Sequence, residues 1–189
     1  MTTMVATEQK YIYLVISQTP SVIARTLKAI THAQYNHISL AFQRDIDTMY
    51  SFGRHYQYFP FYGGLVTESP HRGTMKRFEN SNVTVMAIPL TSEVYDQLYA
   101  HVMAMYENRK QYKYNYMGIF WAWFKIARRK RDCYYCSEFI RELFIRYHID
   151  GYDQLKPITE PIHFLNVPGE RIYTGTLKDY AAKQRCNTV

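Results

Sequence analysis

Two stretches hold residues whose types and spacing can do chemistry. "DCYYCSEFIRELF" (132–144) sets Cys133 and Cys136 three positions apart at the head of an amphipathic pattern. "YNHISLAF" (35–42) sets one imidazole, His37, at the edge of an alternating segment. Cys136, Phe139, Ile140, Leu143, Phe144 and Tyr147 fall at i, i+3, i+4 and i+7, the stripe of a helix buried along one side. Cys136 therefore opens that stripe in the first helical turn. Unbonded backbone N–H groups and the positive end of the helix dipole favour a thiolate there, and the same N–H groups can hold a developing oxyanion. Spacing alone leaves this reading open against a plainer one, a small apolar residue that starts a core stripe.

The pair of cysteines does not read as a metal or redox motif. A zinc site takes about four ligands, usually as two pairs. The one further cysteine is Cys186, near the C-terminus, and no HxxxH-type pair is present. A redox CxxC ordinarily lies between a strand and a helix, whereas the basic run "KIARRKRD" precedes this one. No metal and no cofactor are called for.

A thiol nucleophile needs a base, usually histidine, oriented by a third polar group. In "HISLAF" the alternation puts Ile38, Leu40 and Phe42 on one face and His37, Ser39 and Ala41 on the other. The second face is small and polar, as in a strand that floors a cleft, although a structural histidine fits the same pattern. The other histidines, at 32, 55, 71, 101, 148 and 163, fall near helix ends, in loops or on exposed faces. If "QRDID" closes a hairpin between "HISLAF" and "TMYSF", Ser51 is the polar residue that can orient His37, in a register that a one-residue slip would undo.

The elements that must position these groups follow from periodicity. "YIYLVIS" (11–17) reads as a central strand, and "TPSVIARTLKAITH" as a helix with Thr19 as its cap and Pro20 at its first position. The stretch 53–73, rich in Gly, Pro, His and aromatics, reads as a long ordered loop that follows the hairpin and forms a wall or lid of the cleft. "GTMKRF" and "NVTVMAIPL" read as strands, and Thr91 as the cap of a helix to about residue 108. The aromatic run 112–124 is expected to be helical in part, the cysteine helix to end near His148 before Gly151, and the remainder to hold one short helix and one strand. The order gives an α+β class, an antiparallel sheet packed against helices.

The totals agree with a single domain over residues 1–189, with residues 1–10 and about 180–189 as loose termini. A 47% hydrophobic fraction and 16% aromatic content can fill a core, which sets disorder and fibrous repeats aside. The net charge of +7 favours anionic partners without choosing among them. An odd count of cysteines and a start without an apolar h-region lead us to expect a cytoplasmic setting.

With "YNHISLAF", "MYSFGR" and "YYCSEFIRELF" placed, the chain resembles the circularly permuted branch of the NlpC-type, papain-like superfamily, which includes YiiX/YaeF-like proteins and, more distantly, lecithin:retinol acyltransferase-like enzymes. In that branch a strand beginning with histidine precedes a "CSEF/V" helix, and His37 here precedes Cys136. The resemblance spans roughly residues 11–165 and implies a circularly permuted papain-like fold. It further implies Cys136 as nucleophile, His37 as base, and a thioester mechanism on a small amide, peptide or acyl-lipid substrate, by hydrolysis (amidase- or peptidase-like) or acyl transfer. It assigns Cys133 no role. Its third polar group commonly lies on the strand after the histidine strand. That strand reads "TMYSF" here, without acid or histidine, which leaves Ser51.

Two other readings compete. The missing acid favours a non-catalytic module that keeps the cleft. "YMGIFWAWFKIARRKR" joins aromatics to cations, as a membrane-surface segment does, but is read first as a buried helix followed by a solvated basic loop. No nucleic-acid role is expected, since no stacking or groove-reading motif is present.

Overall fold

A computed structural model describes residues 9–19, 34–54, 62–128 and 130–186. Most of the helix expected at 19–32 lies outside these residues. So do His32, His55, Tyr56, Tyr58 and Phe59.

Six strands form one antiparallel sheet: β1 (Gln9–Ser17), β2 (His37–Ala41), β3 (Met49–Arg54), β4 (Gly63–Glu68), β5 (Asn82–Thr91) and β8 (Glu170–Thr176), in the order β4-β3-β2-β1-β5-β8. Strands β1 and β5 lie inside the sheet, so their apolar residues are buried on both faces. Ile12, Leu14 and Ile16 point one way and Val15 the other. The first face carries Ile38, Leu40, Phe52, Met86 and Ile88. It is covered by two helices, α2 (Ser92–Glu107) and α4 (Cys136–Arg146). The second face carries Val15, Ala41, Met49, Val83 and Val85. Short helix α1 (Gly73–Arg77) packs there through Met75, and C-terminal helix α5 (Leu177–Cys186) through Leu177 and Tyr180. The class is thus α+β, an antiparallel sheet with helices on it.

Helix α2 begins where expected, with Thr91 Oγ1 accepting from the Val94 N–H at 3.3 Å. Between α2 and α4 the chain makes an excursion. Strand β6 (Lys113–Tyr114) leads out to α3 (Tyr116–Trp123), and β7 (Cys133–Tyr134) returns beside β6 in parallel. Asn115 caps α3 by accepting from Gly118 N–H at 2.8 Å. A Cβ on Gly118 would sit 2.3 Å from the Asn115 amide nitrogen, so only glycine leaves room for that cap. The Asn115 amide also donates to Glu138 Oε2, at 3.1 Å, and so joins the start of α3 to the start of α4.

Several expectations need correction. The stretch 53–73 is not one loop: residues 63–68 form β4, an edge strand that pairs with β3 along its length. The paired glycines Gly63 and Gly64 hide it from a propensity reading. "GTMKRF" is helical rather than extended, because Met75 alone of α1 is buried and turns inward onto the second face. Residues 180–186, expected to be loose, belong to α5, whose Tyr180 is buried and donates to the Arg44 carbonyl at 2.6 Å. The aromatic run is helical in part, but α3 is not a buried helix: Met117, Phe120 and Phe124 are exposed. No helix among the described residues is long and apolar enough to cross a membrane.

Candidate active site

The site is built on the ends of elements. His37 is the first residue of β2, and Cys136 the first of α4, which packs on β2 and β3. Helix α4 is fixed there by Phe139, Ile140, Leu143 and Phe144, all in the core of the first face. Its first turn is braced by Glu138, whose carboxylate reaches back to accept from the Tyr135 N–H at 3.3 Å.

Strand register gathers a polar set on the second face. Ser17 lies opposite His37, Val15 opposite Ser39, Ser51 opposite Val66 and Met49 opposite Glu68. His37 Nε2 lies 3.1 and 3.0 Å from the two Glu68 carboxylate oxygens, and Ser39 Oγ donates to Glu68 Oε2 at 2.6 Å. Ser39 Oγ also lies 3.2 Å from Nε2. Glu68 reaches across β3 because the residues below it are small. A Cβ placed on Gly53 would lie 3.8 Å from Glu68 Oε1 and 3.9 Å from Ser51 Oγ.

Alternation by itself would separate the imidazole from the thiol, since Cys136 belongs to the core of the first face. The two meet because each is a terminal residue, so the ring and the sulfur come together at the end of the sheet. There Cys136 lies near enough to the ring to help raise its pKa. An ionised carboxylate can only accept. Nε2 therefore carries the proton given to Glu68.

Electrostatics follow from this placement. Burial disfavours the charged form of His37, but the Glu68 carboxylate and the hydrogen bonds to Cys136 and Glu68 outweigh it. They hold the ring's pKa well above the usual histidine value. Burial likewise works against ionised Glu68. His37 and the nearby Ser39 and Ser51 hydroxyls outweigh that, and its pKa falls below the usual carboxylate value. Tyr114, on β6, is half-buried. Burial first, and then the neighbouring Cys136 and Tyr116, keep its phenol protonated far into the alkaline range.

Of the residues singled out in the sequence, Cys136 and His37 are brought together. Ser51 is not the histidine's partner. It shares the face and helps lower the pKa of Glu68, but its Oγ makes no hydrogen bond of acceptable geometry. The residue that sequence reasoning missed is Glu68. Its signal is the short alternation "LVTE", with Val66 and Glu68 facing one way, inside a stretch whose glycines, prolines and aromatics read as loop. Cys133 is buried in β7. His71 joins a surface group with Asp47 and Arg185, His101 pairs with Arg146, and His163 accepts from the Glu160 N–H. Of the expected lid, the described part is β4 and the turn after it. Glu68 and Arg72 there, with Arg54 at the end of β3, line an open pocket of about 340 Å³. Searches of family models, curated proteins and solved structures find no match for the chain.

Proposed function

We propose that the protein is a cysteine-dependent acyl-transfer enzyme of the permuted papain-like kind, a hydrolase or acyltransferase acting on an amide, ester or thioester. One observation carries the reading: the Glu68 carboxylate binds the His37 ring, and Cys136, at the head of α4, lies near enough to the same ring to raise its pKa. His37 takes the thiol proton. The sulfur attacks the acyl carbon, and the C–S bond forms as the carbonyl π electrons move to oxygen. N–H groups at the start of α4 face the oxyanion, as helix N-termini do. Collapse expels the leaving group, which takes its proton from His37, and leaves a thioester on Cys136. Water, or an acceptor alcohol or amine, then gives its proton to His37 and displaces the sulfur. Glu68 holds the ring in the required tautomer and stabilises its cationic form, as the buried acid does in other triads. The non-catalytic alternative drew on a missing acid, and Glu68 removes that support.

The test is a short-chain p-nitrophenyl ester. Wild type should release a burst of p-nitrophenolate and gain the acyl mass on the Cys136 peptide, discharged by neutral hydroxylamine. Cys136→Ala and His37→Ala should show neither. Acyl mass on another residue, or none on any, would count against the reading.

A further inference from the structure

We propose that the tip of the β6–β7 excursion is a docking site for an anionic membrane surface. Met117, Phe120 and Phe124 lie three and four positions apart, so they share one face of α3 and its C-cap, and they are 61%, 47% and 56% exposed. Ile126 adds to them at 46%. An apolar helical face turned outward is unusual, since such a face ordinarily lies against the core. Nor is it loosely held. Phe120 packs edge-on against Trp121 and Phe124, at centroid distances of 5.6 and 5.3 Å.

Charge complementarity selects the occupant. Exposed Lys125, Arg128, Lys130 and Arg131 follow the apolar face directly, and Arg128 lies over the Trp121 ring at 4.8 Å. A second copy of the chain would bring like charges together. A nucleic acid would satisfy the cations and leave the apolar face in water. An anionic bilayer satisfies both, with side chains in the headgroup–acyl boundary and cations at the phosphates. The eight-residue helix is about 12 Å long, so it lies at the interface rather than spanning it. The neck is firm: Lys113 N–H donates to the Asp132 carbonyl at 2.9 Å and Asn115 N–H to Tyr134 at 3.0 Å. The neck is tied to the first turn of α4 by Asn115 and Glu138, although binding at the tip does not depend on the chemistry proposed at Cys136.

Both tryptophans of the chain, Trp121 and Trp123, lie in α3, so intrinsic fluorescence reports on this segment. Vesicles of phosphatidylglycerol and phosphatidylcholine should shift the emission to the blue. Brominated acyl chains should quench it, high salt should reverse both effects, and pure phosphatidylcholine should do far less. Replacing Arg128, Lys130 and Arg131 together with Gln should weaken binding about a hundredfold, roughly fivefold per charge. Phe120→Ser with Phe124→Ser should abolish quenching in a chain whose circular dichroism is unchanged. Cys136→Ala should bind like wild type. Equal binding to neutral vesicles, no quenching by brominated lipid, self-association in place of vesicle binding, or loss of binding in Cys136→Ala would each overturn the proposal.

Discussion

The imidazole of His37 is where the chemistry is decided, because both Glu68 and Cys136 act on it. Glu68 fixes the proton on Nε2 and raises the ring's basicity against the effect of burial. Replacing Glu68 with Gln keeps an acceptor and removes the charge. The alkaline limb of acyl transfer, set by loss of the imidazolium that protonates the leaving group, should then move to lower pH, as a pH–rate profile would read. Stability should respond with a definite sign. A raised histidine pKa stabilises the fold fully below the ordinary value of 6.5, and that contribution is lost as pH rises through the raised value. A lowered carboxylate pKa stabilises above the ordinary 4.5 and is lost as pH falls through the lowered value. Denaturant titrations should therefore show the largest deficit of Glu68→Gln against wild type between pH 4.5 and 6.5, narrowing on either side. A deficit constant across pH would mean that the pair does not titrate as described. At this scale the sequence was legible for Cys136 and His37, whose periodicities are local. It was not legible for Glu68. That residue meets the ring across an intervening strand, over Ser51 and Gly53, a contact set by register rather than by spacing.

At the level of elements, the two helix starts at 115–118 and 135–138 form one polar joint. Asn115 caps α3 with its oxygen and binds Glu138 with its nitrogen, while Glu138 braces the turn that begins at Cys136. Asn115→Ala should cost about 2 kcal/mol, the sum of a lost cap and a buried hydrogen bond. It should also slow acylation of Cys136, because the first turn of α4 loses its brace. Gly118→Ala should lose stability in the same direction, since the added methyl displaces the cap. Urea titration gives the first effect and burst kinetics the second. A variant with unchanged stability would show that the joint is incidental. Helices α2 and α4 were legible because their apolar stripes and caps are strong. Strand β4 was not, because its glycine pair imitates a turn, and α1 was not, because five residues are too few to show a helical period.

For the molecule as a whole, the sheet needs cover on both faces, and the C-terminal helix supplies part of the second. Leu177 and Tyr180 pack with Val15, Val83 and Val85, and Tyr180 binds the Arg44 carbonyl. A chain ending at Thr176 should lose that cover and melt at a markedly lower temperature or without cooperativity. A truncated chain with an unchanged melting curve would contradict this role for α5. Composition and element order were enough to read an α+β domain, but the end of the chain was misread as loose because "KDYAAKQRC" is mostly polar and its buried residues are few.

The central claim is that position beside His37, rather than exposure, sets Cys136 apart, and the chain provides its own control. Cys133 and Cys136 are almost equally buried, at 8% and 6% exposure, while Cys186 is exposed. In a Cys186→Ser background, limiting iodoacetamide at mildly acid pH followed by peptide mass analysis compares the two buried thiols directly. Cys136 should be alkylated well ahead of Cys133, and His37→Ala should erase most of that lead. Equal rates for the two thiols, faster labelling of Cys133, or a lead that survives His37→Ala would contradict the account.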